Sequence, residues 1–367
     1  MSWSAAPRAG NVAAVPLSSR LLPVLGAAIT IAVLGAAPAA AQPAAPAADT
    51  RPTAVVALGD SAASGEGADG YEPGTRGENG DWCHRSPAAY VYRAGLADEA
   101  VNLACSGADT SDVRFGTATH YTEGSQAARL IGVATRYRVT VVTLQIGAND
   151  DAELTAIGIA CIRTFLDPTI GPCRDTLGPT VAGRMAALAP KVEAAVGDVR
   201  TAMRRAGYAD DAYAFVLASY ASPVTETMGP LHGVEGCPFS RADAGWGRTV
   251  LFPALSDTLR GVAERTGVRF LDLSRATEGH EACSRTGHSA EWQRRITVDP
   301  QALVYGKLDA IGFHLFQESF HPNAAGHEQI GGCLGEFVRA GVQRAACLVG
   351  ADGKLHSVTP APTPAAA

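Results

Sequence analysis

The sequence predicts an α/β fold, a three-layer α/β/α sandwich around a central parallel sheet of about five strands. Short, mainly apolar runs alternate along the chain with longer segments whose apolar residues recur at helical spacing. Runs of this kind are typical of strands buried on both faces. Strands that alternate with helices form right-handed βαβ units, which place helices on both faces of one sheet.

Five apolar runs are the predicted strands. They cover residues 54–58, 100–104, 139–146, 212–219 and 268–273. Four segments are predicted helices, the first because proline stands near its first turn and the others because of their apolar spacing. They cover residues 87–97, 124–137, 180–206 and 249–266.

The N-terminus has the layout of a secretory signal peptide, so residues 1–41 are predicted to be removed. Arginines precede an apolar stretch over residues 21–36, and Ala39-Ala40-Ala41 offers a small-residue cleavage site. An uncleaved membrane anchor is the alternative, and the small residues at the cleavage site disfavour it. No other run approaches the roughly 20 apolar residues of a membrane span. We therefore expect a secreted, extracellular protein without stable membrane insertion.

The mature chain is predicted to hold one domain over residues 53–350, because no interior linker stands out. Residues 42–52 form an Ala/Pro-rich leader, and residues 351–367 are expected to be a disordered tail. The net charge of −6 offers nothing to attract nucleic acid. We expect a monomer.

The eight cysteines of this exported chain predict disulfides. Eight cysteines allow roughly a hundred pairings, and the sequence alone does not choose among them. A zinc site is the alternative, but no C-x₂-C or H-x₃-H spacing supports it.

Four short motifs carry the chemistry. Ser61 ends Gly59-Asp60-Ser61 directly after the first predicted strand, and His321 stands before a proline-started helix. Brought together, they would be a nucleophile and its general base. The backbone N–H groups of Ser61 and Gly107 and the side-chain amide of Asn149 are donors of the kind that stabilise an oxyanion.

Ser61, Gly107 and Asn149 each follow a predicted strand. Parallel strands gather their carboxyl ends at one edge of the sheet, which is where ligands bind in open α/β folds. The strand pattern and the chemistry therefore predict the same edge.

These four residues, in this order and in these local motifs, resemble the SGNH (GDSL) hydrolase superfamily. The resemblance runs from about Val55 to His327 and implies a flavodoxin-like sandwich and a serine hydrolase mechanism without a cofactor or metal. The segment Cys83-His84-Arg85-Ser86 and the cysteine layout look like the secreted actinobacterial lipases and esterases.

We expect each cysteine to pair with its neighbour along the chain. The family pattern implies the first three pairs, and the fourth follows mainly by elimination. The expected disulfides are Cys83–Cys105, Cys161–Cys173, Cys237–Cys283 and Cys333–Cys347.

The third member of a triad is open. The family pattern usually has an aspartate three residues before the histidine, where this sequence has Glu318. The Glu318 side chain could orient His321 and stabilise its imidazolium. The alternative is the Glu318 backbone carbonyl, because some relatives use a carbonyl at that position.

Three long segments, 66–85, 150–179 and 274–318, read as irregular. Loops this long are often functional, and we interpret them as walls of an acyl pocket. Surface decoration is the alternative.

The resemblance implies a secreted esterase or lipase that hydrolyses carboxylic, and specifically fatty acyl, esters, with a small-molecule or lipid ester as its substrate. One alternative is a carbohydrate acetylesterase or acyltransferase that uses the same residues. A second is a non-catalytic binding protein that kept the fold.

Overall fold

The computed structural model describes residues 49–284, 287–305 and 314–359. The predicted signal peptide, most of the predicted leader and the last residues of the predicted tail lie outside these ranges.

A single sheet of seven strands runs through the described chain, in the order β2-β1-β3-β4-β5-β6-β7. The strands are β1 Thr53–Gly59, β2 Glu99–Asn102, β3 Arg138–Gln145, β4 Ala214–Ala218, β5 Arg269–Asp272, β6 Arg344–Val349 and β7 Leu355–Val358. All neighbouring pairs are parallel except the last, in which β7 runs antiparallel to β6. The predicted α/β class and central parallel sheet are therefore confirmed.

Two strands go beyond the sequence prediction. β6 follows the last long helix, and β7 lies within residues 351–367, which were expected to be a disordered tail. That expectation is wrong for Leu355–Val358, whose backbone pairs with β6 and whose Leu355 is buried. The sequence pattern of a four-residue edge strand is too short to be distinguished from that of a polar tail.

The helices fill the connections between the strands. They are α1 Ser61–Ser64, α2 Tyr90–Arg93, α3 Thr110–Val113, α4 Gln126–Arg136, α5 Leu154–Leu166, α6 Cys173–Leu177, α7 Val181–Arg205, α8 Arg241–Trp246, α9 Phe252–Thr266, α10 Gln301–Tyr305 and α11 Ala324–Ala340. The prediction of irregular structure is wrong for 150–179, which holds α5 and α6, and for the part of 274–318 that forms α10. Glycine and proline interrupt the apolar pattern over 150–179 and hide both helices there.

Strand alternation divides the core into two layers. Val56 and Leu58 of β1 face one apolar cluster, which includes Leu130 of α4. Val55 and Ala57 face the opposite cluster, with α2 and α11. Because β1 is an interior strand that is buried on both faces, the residues that directly follow it are held by both layers.

The structure joins the cysteines in the four expected pairs, Cys83–Cys105, Cys161–Cys173, Cys237–Cys283 and Cys333–Cys347. Within the described ranges no single helix is both long and apolar enough to cross a membrane. The pair Leu154–Leu166 and Pro168–Arg205, bent by 108°, passes the same length and composition test together.

Candidate active site

Ser61 is the first residue of α1, immediately after β1. Asp60 caps this helix, since its Oδ1 accepts a hydrogen bond from the Ala62 N–H at 3.1 Å. Gly59 has φ +139°, and a Cβ there would lie 2.0 Å from the Gln145 carbonyl oxygen. Only glycine fits so close an approach between β1 and β3, which explains why the turn begins with it.

A buried glutamine holds the same turn from the side. The Gly59 N–H donates to Gln126 Oε1 at 2.8 Å, and Gln126 Nε2 donates back to the Gly59 carbonyl at 2.8 Å. The Asp60 N–H donates to the Gln145 carbonyl at 3.0 Å. Ser61 therefore stands on backbone that has little freedom to move, with its side chain mostly buried.

His321 lies just before α11, whose first turn is capped by Asn323. The preceding residue, Phe320, has φ +61°, a left-handed conformation that turns the chain toward the sheet edge. The Arg294 N–H donates to the His321 carbonyl at 2.8 Å, and the Phe320 N–H donates to the Arg294 carbonyl at 3.2 Å. The histidine is thus held by a short antiparallel pairing as well as by the helix.

The fold brings Ser61 and His321 together across 260 residues of sequence, with Nε2 of His321 2.7 Å from Oγ of Ser61. On the other side of the ring, Nδ1 lies 3.1 Å from the Ser319 carbonyl oxygen. A carbonyl only accepts, so Nδ1 carries the hydrogen. In the neutral ring Nε2 is then free to accept the serine hydroxyl proton. Burial lowers the pKa of His321, which favours this neutral form.

Glu318 does not have the role that was expected for it. The Nδ1–H of His321 donates to the carbonyl of Ser319, one residue further along the chain, and not to the side chain or carbonyl of Glu318. The Glu318 carboxyl is buried and bonds to the Tyr71 hydroxyl, and burial raises its pKa. Phe320, which follows Ser319, has a left-handed backbone conformation, and residue spacing alone does not reveal such a conformation.

Gly107 and Asn149 lie on the loops after β2 and β3. Gly107 has φ +80°, and its N–H, like that of Ser61, meets no acceptor within the described chain. Asn149 Nδ2 donates to the Ala108 carbonyl at 2.9 Å, which ties the two loops and leaves its second amide hydrogen for another acceptor. The arrangement keeps three N–H donors at the sheet edge that carries Ser61.

Asp60 itself is completely buried. Its carboxyl accepts a hydrogen bond from the Tyr220 hydroxyl, which in turn accepts one from the Ala148 N–H at 3.3 Å. Burial raises the pKa of Asp60 to about 7. This chain of bonds connects the loops after β1, β3 and β4 beneath the nucleophile.

The sequence prediction missed a second buried polar group beside the dyad, built around Glu66 and His84. Both side chains are fully buried, and Nδ1 of His84 lies 2.9 Å from Oε1 of Glu66. Gln317, four residues before His321, donates to Oε2 at 2.9 Å. Glu66 stands only five residues after Ser61, and His84 lies in the segment that resembles the secreted lipases. Their position close to these motifs was the signal in the sequence that could have revealed the group.

Among the described residues, the group with metal-ligand spacing is Cys83, Cys105 and Glu123. Its two sulfurs are joined to each other in a disulfide and are not thiolate ligands.

Comparison with known proteins identifies the family of the chain. The sequence profile of the GDSL-like Lipase/Acylhydrolase family matches residues 57–329. "Lipase 2" of Streptomyces coelicolor is 29% identical over 316 residues, which cover 83% of this chain and 90% of that protein.

One of the solved structures that the chain resembles has a TM-score above 0.5 and shows the same fold. The extracellular lipase of Streptomyces rimosus superposes with a TM-score of 0.51 at 23% identity, covering 79% of this chain and all (100%) of that one. Phospholipase A1 of Streptomyces albidoflavus NA297 has a TM-score of 0.49 at 23% identity, covering 77% and 96%. The chain belongs to the GDSL-like lipase/acylhydrolase family and is, by that membership, a carboxylic ester hydrolase.

Proposed function

We propose that the protein is a secreted serine esterase or lipase that hydrolyses fatty acyl esters through an acyl-enzyme on Ser61. The observation that carries the proposal is the 2.7 Å contact between Ser61 Oγ and His321 Nε2. A serine hydroxyl is a weak nucleophile at neutral pH, and a base at this distance removes its proton during attack.

In the first half of the reaction, Ser61 Oγ attacks the ester carbonyl while His321 Nε2 takes the hydroxyl proton. The negative charge that develops on the carbonyl oxygen is stabilised by the N–H groups of Ser61 and Gly107 and the amide of Asn149. The resulting imidazolium keeps its Nδ1–H on the Ser319 carbonyl, whose partial negative charge stabilises it.

In the second half, His321 gives its proton to the departing alcohol, which leaves the acyl group on Ser61. Water then attacks the acyl carbonyl carbon while His321 takes a proton from it, and the tetrahedral intermediate collapses, which breaks the bond to Ser61 Oγ and releases the acid. The proton returns to Ser61 Oγ.

Two findings support secretion and an acyl substrate. Four disulfides are typical of proteins that mature in an oxidising compartment. The Streptomyces relatives are named as lipases, one of them extracellular.

The test is hydrolysis of p-nitrophenyl esters from acetate to palmitate by the mature protein and its Ser61→Ala variant. We expect the variant to lose activity by about 10³-fold or more, since removing a catalytic serine leaves only binding and oxyanion stabilisation. Ser64→Ala is the matched control, because Ser64 lies on the same helix and, among the described residues, its hydroxyl bonds only to the Ser61 carbonyl at 3.1 Å.

Equal rates in the parent and Ser61→Ala would refute the assignment. Absence of turnover on every ester, together with absence of labelling by a serine-directed phosphonate, would favour a binding protein. An optimum at acetate would replace the fatty acyl substrate with a short-chain one.

A further inference from the structure

Glu66 is a buried carboxylate that the dyad does not use. It lies directly after α1, where its N–H donates to the Ser61 carbonyl at 3.1 Å. Its side chain is completely buried. Burying a charge is costly unless partners compensate for the lost water, so a carboxylate in this position calls for an explanation.

The carboxylate of Glu66 is fully surrounded by donors. The Tyr71 hydroxyl donates to Oε1 at 3.0 Å, and His84 Nδ1 lies 2.9 Å from the same oxygen. Gln317 Nε2 donates to Oε2 at 2.9 Å, and the Ser106 hydroxyl is a further donor. These partners come from four different parts of the chain.

Two of these partners belong to segments that carry the site. Ser106 directly precedes Gly107, the second oxyanion donor. Gln317 precedes His321 by four residues, and its Nε2 also donates to the Trp82 carbonyl at 3.0 Å. Glu66 therefore joins the nucleophile turn, the oxyanion loop and the histidine segment in one hydrogen-bonded unit.

The charges around His321 make Glu66 relevant to the imidazolium. Burial is the main influence on the pKa of His321 and lowers it. Glu66 is the first charged group that acts in the opposite direction, and His84 lowers the pKa by less. His327 of α11 also interacts electrostatically with His321, and burial lowers the pKa of His327 to about 4, so it is neutral near pH 7. The net electrostatic effect of the neighbours therefore favours protonated His321.

We propose that Glu66 is a positioning residue for His321. Its carboxylate holds the histidine segment in place through Gln317 and supplies the negative charge that stabilises the imidazolium formed during catalysis. The inference rests on the proposed Ser61–His321 mechanism and adds a residue outside that dyad.

The first test is the pH profile of kcat/KM for the mature parent, Glu66→Gln and Glu66→Asp. His321 must be neutral to act as a base, so its protonation causes the fall of kcat/KM at acidic pH, which is the acid limb of the profile. Loss of the Glu66 charge is expected to shift that limb to lower pH by about half a unit or more. In Glu66→Gln kcat should also fall, by up to about 100-fold, with little change in KM. Glu66→Asp keeps the charge and should restore the position of the limb.

A second variant separates the tether from the charge. Gln317→Leu removes the link to the histidine segment but keeps the carboxylate. It should lower kcat without moving the acid limb. Because it leaves Glu66 intact, it also tests the proposal if Glu66→Gln folds poorly.

Asp272→Asn is the matched control. Asp272 on β5 also accepts several hydrogen bonds, from the hydroxyls of Ser219 and Ser256 and the Ser274 N–H. The same carboxylate-to-amide change there should leave the limb unmoved and kcat within about twofold, since the site lies outside the described contacts of His321.

Rates are to be corrected for the active fraction by titration with a serine-directed phosphonate. The inference is overturned if, after correction, Glu66→Gln and Gln317→Leu both match the control. It is likewise overturned if the acid limb of Glu66→Asp moves as far as that of Glu66→Gln. If the parent and Ser61→Ala hydrolyse esters at equal rates, the dyad mechanism itself has failed, which is a separate result.

Discussion

Asp60 and Glu66 flank the nucleophile and are both completely buried, yet their pKa values are shifted in opposite directions. Burial raises the pKa of Asp60 to about 7. For Glu66 burial acts in the same direction, but the adjacent His84 and the hydrogen bonds outweigh it and lower the pKa to about 2. Two carboxylates six positions apart on the chain therefore sit in different electrostatic environments.

The partners explain the difference. Asp60 receives hydrogen bonds from neutral groups, the Tyr220 hydroxyl and a backbone N–H. Glu66 receives them from similar neutral groups and also from His84, whose own pKa is raised, against burial, by Glu66 and then Asp299. Burial alone thus does not determine the charge of a carboxyl group, and a cationic partner decides it.

The largest effect is expected from His84→Leu, which removes that cationic partner. Breaking a buried ion pair leaves an uncompensated charge, so stability should fall by about 3–5 kcal/mol at pH 7. Urea unfolding measures the loss. His327→Leu is the control, because His327 is equally buried but neutral. A loss no larger than that of the control would contradict the ion pair.

Asp60→Asn should reveal a contribution to stability that is lost as the pH rises. The folded-state pKa of Asp60 is raised from 3.8 to about 7, so the native state binds the proton more tightly than the unfolded chain. Its contribution to stability is present below pH 4 and is lost as the pH rises toward 7, by up to about 4 kcal/mol. The parent should therefore lose stability relative to Asp60→Asn over this range in urea unfolding. Parallel curves would place the Asp60 pKa near its ordinary value.

Glu66→Gln should reveal a contribution to stability that is lost as the pH falls. The folded-state pKa of Glu66 is lowered from 4.5 to about 2, so its contribution is present above pH 4.5 and is lost as the pH falls toward 2. The shift corresponds to about 3 kcal/mol. The stability advantage of the parent over the variant should shrink by that amount between pH 5 and pH 2, as followed by circular dichroism in urea. An advantage that is independent of pH would mean that the charge contributes nothing.

The smallest effect is expected from Tyr220→Phe, which removes one neutral donor from Asp60. A lost hydrogen bond to a buried acceptor costs about 1–3 kcal/mol. Because the Asp60 carboxylate loses a donor, its pKa should rise further, and the loss of stability should be greater at pH 8 than at pH 5. Thermal unfolding at the two pH values measures this difference. An equal loss at both values would show that the hydroxyl does not sense the charge of Asp60.

Much of the fold was predictable, because long buried strands leave continuous apolar patterns. All five predicted strands are present with boundaries shifted by a few residues, and β1 at Thr53–Gly59 nearly matches its prediction. β7 and α5 were missed for different reasons. β7 has only four residues, and Gly158 together with the apolar outer face of α5 obscures the helical spacing.

The active site was likewise predicted in part and missed in part. Ser61, Gly107 and Asn149 were placed at one edge because each follows a strand, and the local motif marked His321. Ser319 was missed, because its carbonyl becomes the partner of His321 only through the left-handed conformation of Phe320. A backbone carbonyl leaves no signature in residue type.

The succession of strands and helices and the motifs at the strand ends follow from the order of residues, because apolar periodicity and local turn chemistry are properties of neighbouring residues. The acceptor that orients His321 and the difference between Asp60 and Glu66 became apparent only from the folded chain. Both depend on groups far apart in the chain: Tyr220 lies 160 residues from Asp60, and Gln317 lies 251 residues from Glu66. Electrostatic environment is set by neighbours in space, and the order of residues along the chain does not encode those neighbours locally.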